Sequence, residues 1–428
     1  MENRTIVGPG FDRALARIDR DIRLDIHQIP SGEHAWTWPV PNAWSVREAW
    51  FGADGTRYAD FDRHPLYLWS FSLPFRGRVT RDELLRHVTT NPDRPDAIPF
   101  DFRYYQRDWG FSLEHSRLRE LTADEYDVVI DVVEEPGALK IGEHVIPGET
   151  EDSILVVAHL CHPGQANDDL AGVAVSVEVA RRLQARQLHH TVRFLYLPEQ
   201  IGSIAYLALN EERLSRFRFG IFLEMLGIAQ PLALQHSKRA ASAVDRAALL
   251  ALRETGRDFL EGDFLKVIVN DEQVLDGPGV DIPTISLSRA TPPPAEGAEF
   301  ARYFTGLPYP EYHTSDDSLA IIDDAALEEA AAAAVRTIEI VDRDRYPRRL
   351  FRGTVHLSSY GLWVDWRVDP LLSEQVHHFM WSFEGDKSLS QIAMETGLPF
   401  DTVADYVGRF EAAGLVELRH EPWDAVER

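Results

Sequence analysis

From about residue 125 onward the chain alternates short apolar runs with amphipathic stretches, and no other feature limits its fold as strongly. "YDVVIDVV", "SILVVAH", "TVRFLYL", "FGIFLEM" and "IPTISL" read as strands, and helical stretches near 169–186, 202–217 and 242–257 separate several of them. Strands separated by helices imply a mainly parallel sheet covered on both faces. None of the runs approaches the ~20 apolar residues needed to span a bilayer. "ALEEAAAAAVRTIEIVDRD" closes this region as a helix on propensity grounds.

The flanking regions have other textures. Phe11, Leu15, Ile18, Ile22 and Ile26 recur at helical spacing, which predicts one amphipathic helix through them. Residues 36–124 are rich in aromatics, prolines and turn dipeptides such as Asp54-Gly55, the pattern of a small β-rich unit. "TPPPAEGAE" (291–299) reads as a surface loop. Beyond residue 366 come a helix, a helix–turn–helix turning at Gly397, and a short terminal hairpin, a winged-helix texture. The predicted organisation is an α/β domain over 1–35 and 125–365, an inserted β-rich domain over 36–124, and a winged-helix domain over 366–428.

The 428 residues suffice for two or three domains with a large core. A net charge of −25 disfavours nucleic acid and anionic membrane as partners. The C-terminal segment follows suit. Asp401 and Asp405 lie on the helix that would enter a DNA groove, so we expect it to pack against the rest of the chain or a second subunit, with Trp381, Phe383 and Trp423 as anchors. A homo-oligomer is compatible with this reading. The single cysteine excludes an intrachain disulfide, and the N-terminal stretch has no signal-type apolar core, so a cytoplasmic location is expected.

Candidate chemistry collects where strands end. In α/β sheets ligands bind outside the carboxyl ends of the strands. "SILVVAH" ends in His159, "RFLYLPE" in Glu199 and "GIFLE" in Glu224. Between the first strand and the next helix lies "HLCHPGQANDD", with Cys161, His162, Asp168 and Asp169; far downstream "PEYHTSDDS" supplies His313. Singly, each has a bland reading: Asp168 as a helix cap, His159 as a core histidine, Glu224 as an arginine's partner. Jointly, two histidines with two or three carboxylates form a plausible zinc set, and a carboxylate at the inner end of an apolar strand is costly unless paired or metal-bound.

Four blocks in chain order over residues 150–320, "VVAHLCHPGQANDDLAG", "FLYLPEQIGSIAYL", "IFLEMLG" and "EYHTSDDS", resemble the bacterial leucyl aminopeptidase family of zinc exopeptidases. "WPVPNAW" and "YYQRDWGF" extend the likeness over nearly the whole chain, to a bacterial aminopeptidase-like branch with an inserted β domain and a winged-helix tail. The resemblance implies that His159, Asp168 and Glu224 hold a first zinc, with Asp168 bridging to a second site that includes His313, and that Glu199 is the general base. Two positions depart from the family pattern. Cys161 replaces an aspartate that orients the first histidine. Gln200 replaces the glutamate ligand of the second zinc, which favours one ion over two unless His162, Asp169 or Cys161 substitutes.

The resemblance further implies amide hydrolysis by metal-activated water, on a small peptide or an amino-acid conjugate. Asp317 is expected to orient an imidazole ligand. Asp271 and Glu272 are candidates for a substrate ammonium, with a solvated loop as the competing reading. Residues 103–111 are candidates to cover the cleft. Arg107 and Arg289 could bind a substrate carboxylate, with structural roles as the alternative. Two further functions stay open: acyl transfer of the glutaminyl cyclase kind at a single zinc, and a catalytically silent scaffold with a partner-binding tail.

Overall fold

The structure, a computed structural model, describes residues 3–289 and 307–423. The "TPPPAEGAE" segment lies outside the described residues. The chain divides into two compact units, Met1–Lys238 with Leu260–Ala331, and Arg239–Phe259 with Ala332–Arg428.

The first unit is built on an eight-stranded mixed sheet. At its centre Thr191–Leu197, Ser153–His159, Phe217–Leu223 and Thr284–Arg289 run parallel in that order. Every residue of the first two is buried, as expected for strands covered on both faces. Antiparallel strands flank this core: Ala138–Ile146 and Asp25–Pro30 on one side, Leu232–Gln235 on the other. Leu260–Gly262 then pairs parallel with Leu232–Gln235 at the far edge. This is the α/β class predicted, with mixed edges.

Two expectations for this unit change. The N-terminal helix covers only Pro9–Ile18; Ile26 belongs to the edge strand Asp25–Pro30 and is 41% exposed. Its apolar spacing is continuous, but the helix stops before "DIRLD", where the chain turns to pair with Ala138–Ile146. Glu125–Glu135, read as part of the main series, instead pairs with Ala43–Ala53 and Phe75–Thr80 in a separate antiparallel sheet of four strands. No helix separates it from its neighbours, so it was free to join the β-rich segment. In that segment Asp54 and Gly55, both at positive φ, make the two-residue turn between Ala53 and Thr56.

In the second unit the helices Pro370–Ser382, Leu389–Thr396 and Phe400–Ala412 surround Phe379, Phe383, Tyr406 and Phe410, whose ring centroids lie 5.4–6.4 Å apart. Helix Ala243–Glu254, expected to flank the main sheet, belongs to this unit and packs on Leu389–Thr396. Ser388 and Gln391 form a capping box, and Gly397 ends its helix in the left-handed region. The terminal strand Val416–Arg419 pairs with Tyr346–Arg349 rather than closing a local hairpin. Alternation marks a strand but does not name its partner. Phe383 and Trp423 are buried, so of the three anchors expected only Trp381, 69% exposed, faces outward. No described helix is long and apolar enough to cross a membrane.

Candidate metal and active site

Three adjacent parallel strands deliver their chains to one edge of the sheet. His159 is the last residue of its strand and stands level with Leu197 of the next. Glu199 follows Leu197 by two residues, and Glu224 directly follows Leu223. The loop after His159 brings Asp168 back over these ends. His159 Nε2 lies 3.2 Å from Asp168 Oδ1 and 3.2 Å from Glu224 Oε1. His162 Nδ1 lies 3.2 Å from Asp168 Oδ1, and His313 Nε2 lies 2.9 Å from Asp168 Oδ2. Glu199 Oε2 is 3.2 Å from His162 Nε2.

These approaches are close, yet neither oxygen of Asp168 has a hydrogen-bond partner. The same is true of Glu224 Oε2, His162 Nδ1 and His313 Nε2. Buried polar atoms are rarely left so, and buried carboxylates need a compensating charge. The donors gather into two sets sharing Asp168: His159, Asp168 and Glu224, and His162, Asp168 and His313. Nitrogen and carboxylate donors of this kind fit zinc, and a bound dication would relieve the orphaned oxygens.

The field of the site points the same way. Burial alone would lower the pKa of His159, but Asp168, Cys161 and Glu224 outweigh it and hold the value well above normal. His162 behaves likewise, raised against burial mainly by Asp168 and Cys161. The pocket therefore demands positive charge. Burial would raise Glu199, yet the hydrogen bond and charge of His162, with His159, lower it, so this carboxylate stays ionised.

The remaining predicted residues separate by what they touch. Asp168 does not cap the following helix. Asp169 does the backbone work instead: its Oδ1 accepts from Gly172 N at 2.9 Å and Met225 N at 3.0 Å, so it is not gathered into either donor set. A Cβ at Gly172 would meet Asp169 Oδ2 and the Leu223 carbonyl at 2.4 Å, which requires glycine there. Cys161 is buried and accepts from Glu199 N at 3.2 Å; it also falls within a third donor group with His159 and His162. Gln200 stands at φ 56° and donates its N–H to Asp271 Oδ1 at 3.0 Å.

Asp317 does not orient an imidazole. Its carboxylate accepts from the N–H groups of Ala166, Asn167 and Asp168 at 2.6–3.2 Å and from Tyr309 Oη at 2.9 Å, fixing the loop that carries Asp168. Asp271 and Glu272 are wholly buried rather than in a solvated loop, and burial raises their pKa values to about 7 and about 8. Arg289 is buried and bound to Glu329 and to the carbonyls of Leu226, Gln230 and Ala326, which leaves it occupied structurally. Arg107 is exposed and paired with Glu134 at 3.1 Å.

Several participants carry no sequence signal. Arg4, only 5% exposed, donates to the carbonyls of Leu160, His162 and Gln165 at 2.8–3.1 Å and clamps the loop after His159. Asn270 donates to Glu224 Oε1. Phe100, from the β-rich segment, meets the rings of His162 and His313 edge-on at 5.3 and 5.2 Å. His162, Gln200, Met225 and His313 all have positive φ, a clustering of backbone strain that marks functional sites.

Comparison with known proteins agrees with this geometry. A family described as Domain of unknown function (DUF4910) matches residues 1–344. A Clostridium acetobutylicum protein, named as a proposed polysaccharide biosynthesis protein with an aminopeptidase-like domain, is 30% identical over 426 residues, covering 96% of this chain and 93% of that one. A crystal structure of a proposed peptidase from Clostridium acetobutylicum superposes with a TM-score of 0.84 at 28% identity, over 97% of this chain and 93% of that chain. A zinc aminopeptidase from Bacillus subtilis shares the fold, with a TM-score of 0.56 at 17% identity, over 78% of this chain and 90% of that chain. The likenesses support a peptidase-type hydrolase on an aminopeptidase-like fold.

Proposed function

We propose, for a chain that belongs to the DUF4910 family, a zinc-dependent hydrolase of the aminopeptidase type that cleaves an amide bond of a small peptide or amino-acid conjugate. One observation carries it: a buried Asp168 with no hydrogen-bond partner on either oxygen, faced by His159, His162 and His313 at 2.9–3.2 Å. His159, Asp168 and Glu224 would hold a first zinc tightly. His162, Asp168 and His313 offer a second, weaker position, with His162 taking the place that Gln200 leaves. Zinc bound there would lower the pKa of water towards about 7 and polarise the scissile carbonyl. Glu199 accepts the proton of the water that adds to the carbonyl carbon and delivers it to the nitrogen as the C–N bond breaks. Arg4, Asp317 and Asp169 hold the loop so that Asp168 keeps its place between both sets.

The test is elemental analysis of the purified chain together with a product screen. Amino-acid amides, dipeptides and N-acyl amino acids form its core. N-acyl amino sugars are added because the Clostridium relative's name mentions polysaccharide biosynthesis. Bound zinc with release of an amine from one of these classes is expected. A folded preparation that takes up no transition metal sinks the reading.

A further inference from the structure

We infer that Tyr104, carried by the β-rich segment, donates the hydrogen bond that stabilises the substrate oxygen on which negative charge builds as water adds to the carbonyl carbon. This rests on the hydrolase reading above and assigns a catalytic donor that the strand-end residues do not supply.

A buried tyrosine hydroxyl ordinarily finds a partner. Tyr309 donates to Asp317, Tyr206 to Glu143 and Tyr406 to the Leu362 carbonyl. Among the described residues, Tyr104 is the one tyrosine whose buried hydroxyl has none. Its ring is held in place: Phe71 meets it edge-on at 5.2 Å and Phe102 stacks on it at 4.6 Å. Phe102 continues to Phe100 at 5.6 Å, and Phe100 reaches the rings of His162 and His313. The backbone is tied to the same place. Phe100 N donates to the His313 carbonyl at 2.8 Å, and Ser315 N donates to the Ile98 carbonyl at 2.8 Å.

The charges acting on the phenol are those of the site. Burial raises its pKa most, followed by Cys161 and Glu199, with Asp168 adding to them against His159. A phenol kept protonated in this way can donate a hydrogen bond and cannot serve as a base. Tyr104 also lines an open cavity of about 250 Å³ with Phe71, Arg103, Tyr105, Arg107 and Glu134. One residue thus lines a solvent-open cavity with its ring and is linked through Phe102 and Phe100 to the histidines of the cluster. A donor preorganised towards developing charge, in a place that excludes water, is worth far more than the same bond in water.

Tyr104→Phe keeps the ring packing and removes only the hydroxyl. In the zinc-loaded full chain, kcat should fall by about 10²- to 10³-fold, with KM little changed. Metal content and Tm should match the wild type. A phosphinic dipeptide isostere, which presents a tetrahedral anionic centre, should bind the variant about 10²-fold more weakly, while the product amino acid binds equally well. Wild-type kcat and wild-type phosphinate affinity in the variant overturn the assignment of Tyr104. A loss of zinc or of Tm in the variant overturns it too, in favour of a structural role. A wild type that neither turns over an amide nor binds the phosphinate overturns the hydrolase reading itself, an outcome distinct from the other two.

Discussion

The two donor sets that meet at Asp168 are built differently. His159 and Glu224 stand at the ends of sheet strands, and both, like Asp168, are at most 2% exposed. His162 and His313 stand on loops, both at positive φ, and the His313 side chain is 28% exposed. Strand ends inherit the rigidity of a sheet buried on both faces; loop positions depend on tethers such as Arg4 and Asp317. The first set also has a carboxylate of its own, Glu224, beside Asp168, while the second has only its share of Asp168. A rigid, doubly anionic, solvent-excluded set should bind a dication more tightly than one assembled from loops. On the zinc reading proposed above, the difference predicts graded occupancy, with the strand-end set filling before the loop set.

The largest effect should come from the residue common to both sets. Asp168→Ala is expected to strip zinc from the protein and reduce hydrolysis to the background rate while circular dichroism stays folded. A variant that retains one equivalent would show that the sets do not depend on a shared carboxylate. Next in size, Glu199→Gln should lower kcat by about 10²- to 10⁴-fold with zinc retained, because a base acts on water and need not touch the ion. Near-normal turnover would remove Glu199 from that role.

The comparison is sharpened most by His162→Ala beside Gln200→Ala. We expect the first to weaken a second equivalent of zinc by at least about tenfold in a chelator competition, leaving the tight equivalent in place, and the second to change neither. The reverse outcome would make Gln200 the ligand and His162 a bystander.

The smallest expected effect lies at Glu272, which accepts from the N–H of Asn270 at 2.9 Å, the residue that also donates to Glu224. Burial raises the Glu272 pKa to about 8, well above an unfolded value of about 4.3. The folded state therefore holds the proton longer than the unfolded chain. Stability contributed by this group is greatest below about pH 4.3, falls as the pH rises, and levels off above about 8, by up to about 1.4 kcal/mol per pH unit. Glu272→Gln removes that loss. It should add on the order of 1–3 kcal/mol to urea-unfolding stability at pH 9 and only about a fifth of that at pH 5. Equal gains at both pH values would mean that the side chain is not protonated in the folded protein.

Much of the first donor set was legible in the sequence. Apolar runs separated by helices imply parallel strands, and parallel strands bring their carboxyl ends to one edge, so His159, Glu199 and Glu224 could be placed together from pattern alone. His313 required the family likeness, since nothing local marks a turn histidine as a neighbour of His159. The second set was much less legible. His162, Asp169 and Cys161 were equal alternatives on the sequence, because ligand chemistry permits all three. The structure separates them: Asp169 is bound to Gly172 and Met225 backbone, Cys161 to the Glu199 amide, and His162 faces Asp168 and Glu199.

What the sequence by itself determined is the set of elements and the face each strand buries, because side-chain period is a local property of the backbone. What only tertiary structure decided is partnership across long separations. Glu125–Glu135 joined the small sheet, Val416–Arg419 paired with Tyr346–Arg349, and Arg4 reached the loop after His159 from more than 150 residues away. Phe100 came to the site from the inserted segment in the same way. Such choices follow from which edge, carbonyl or charge is left unsatisfied once the core has closed, and that is a property of the assembled chain.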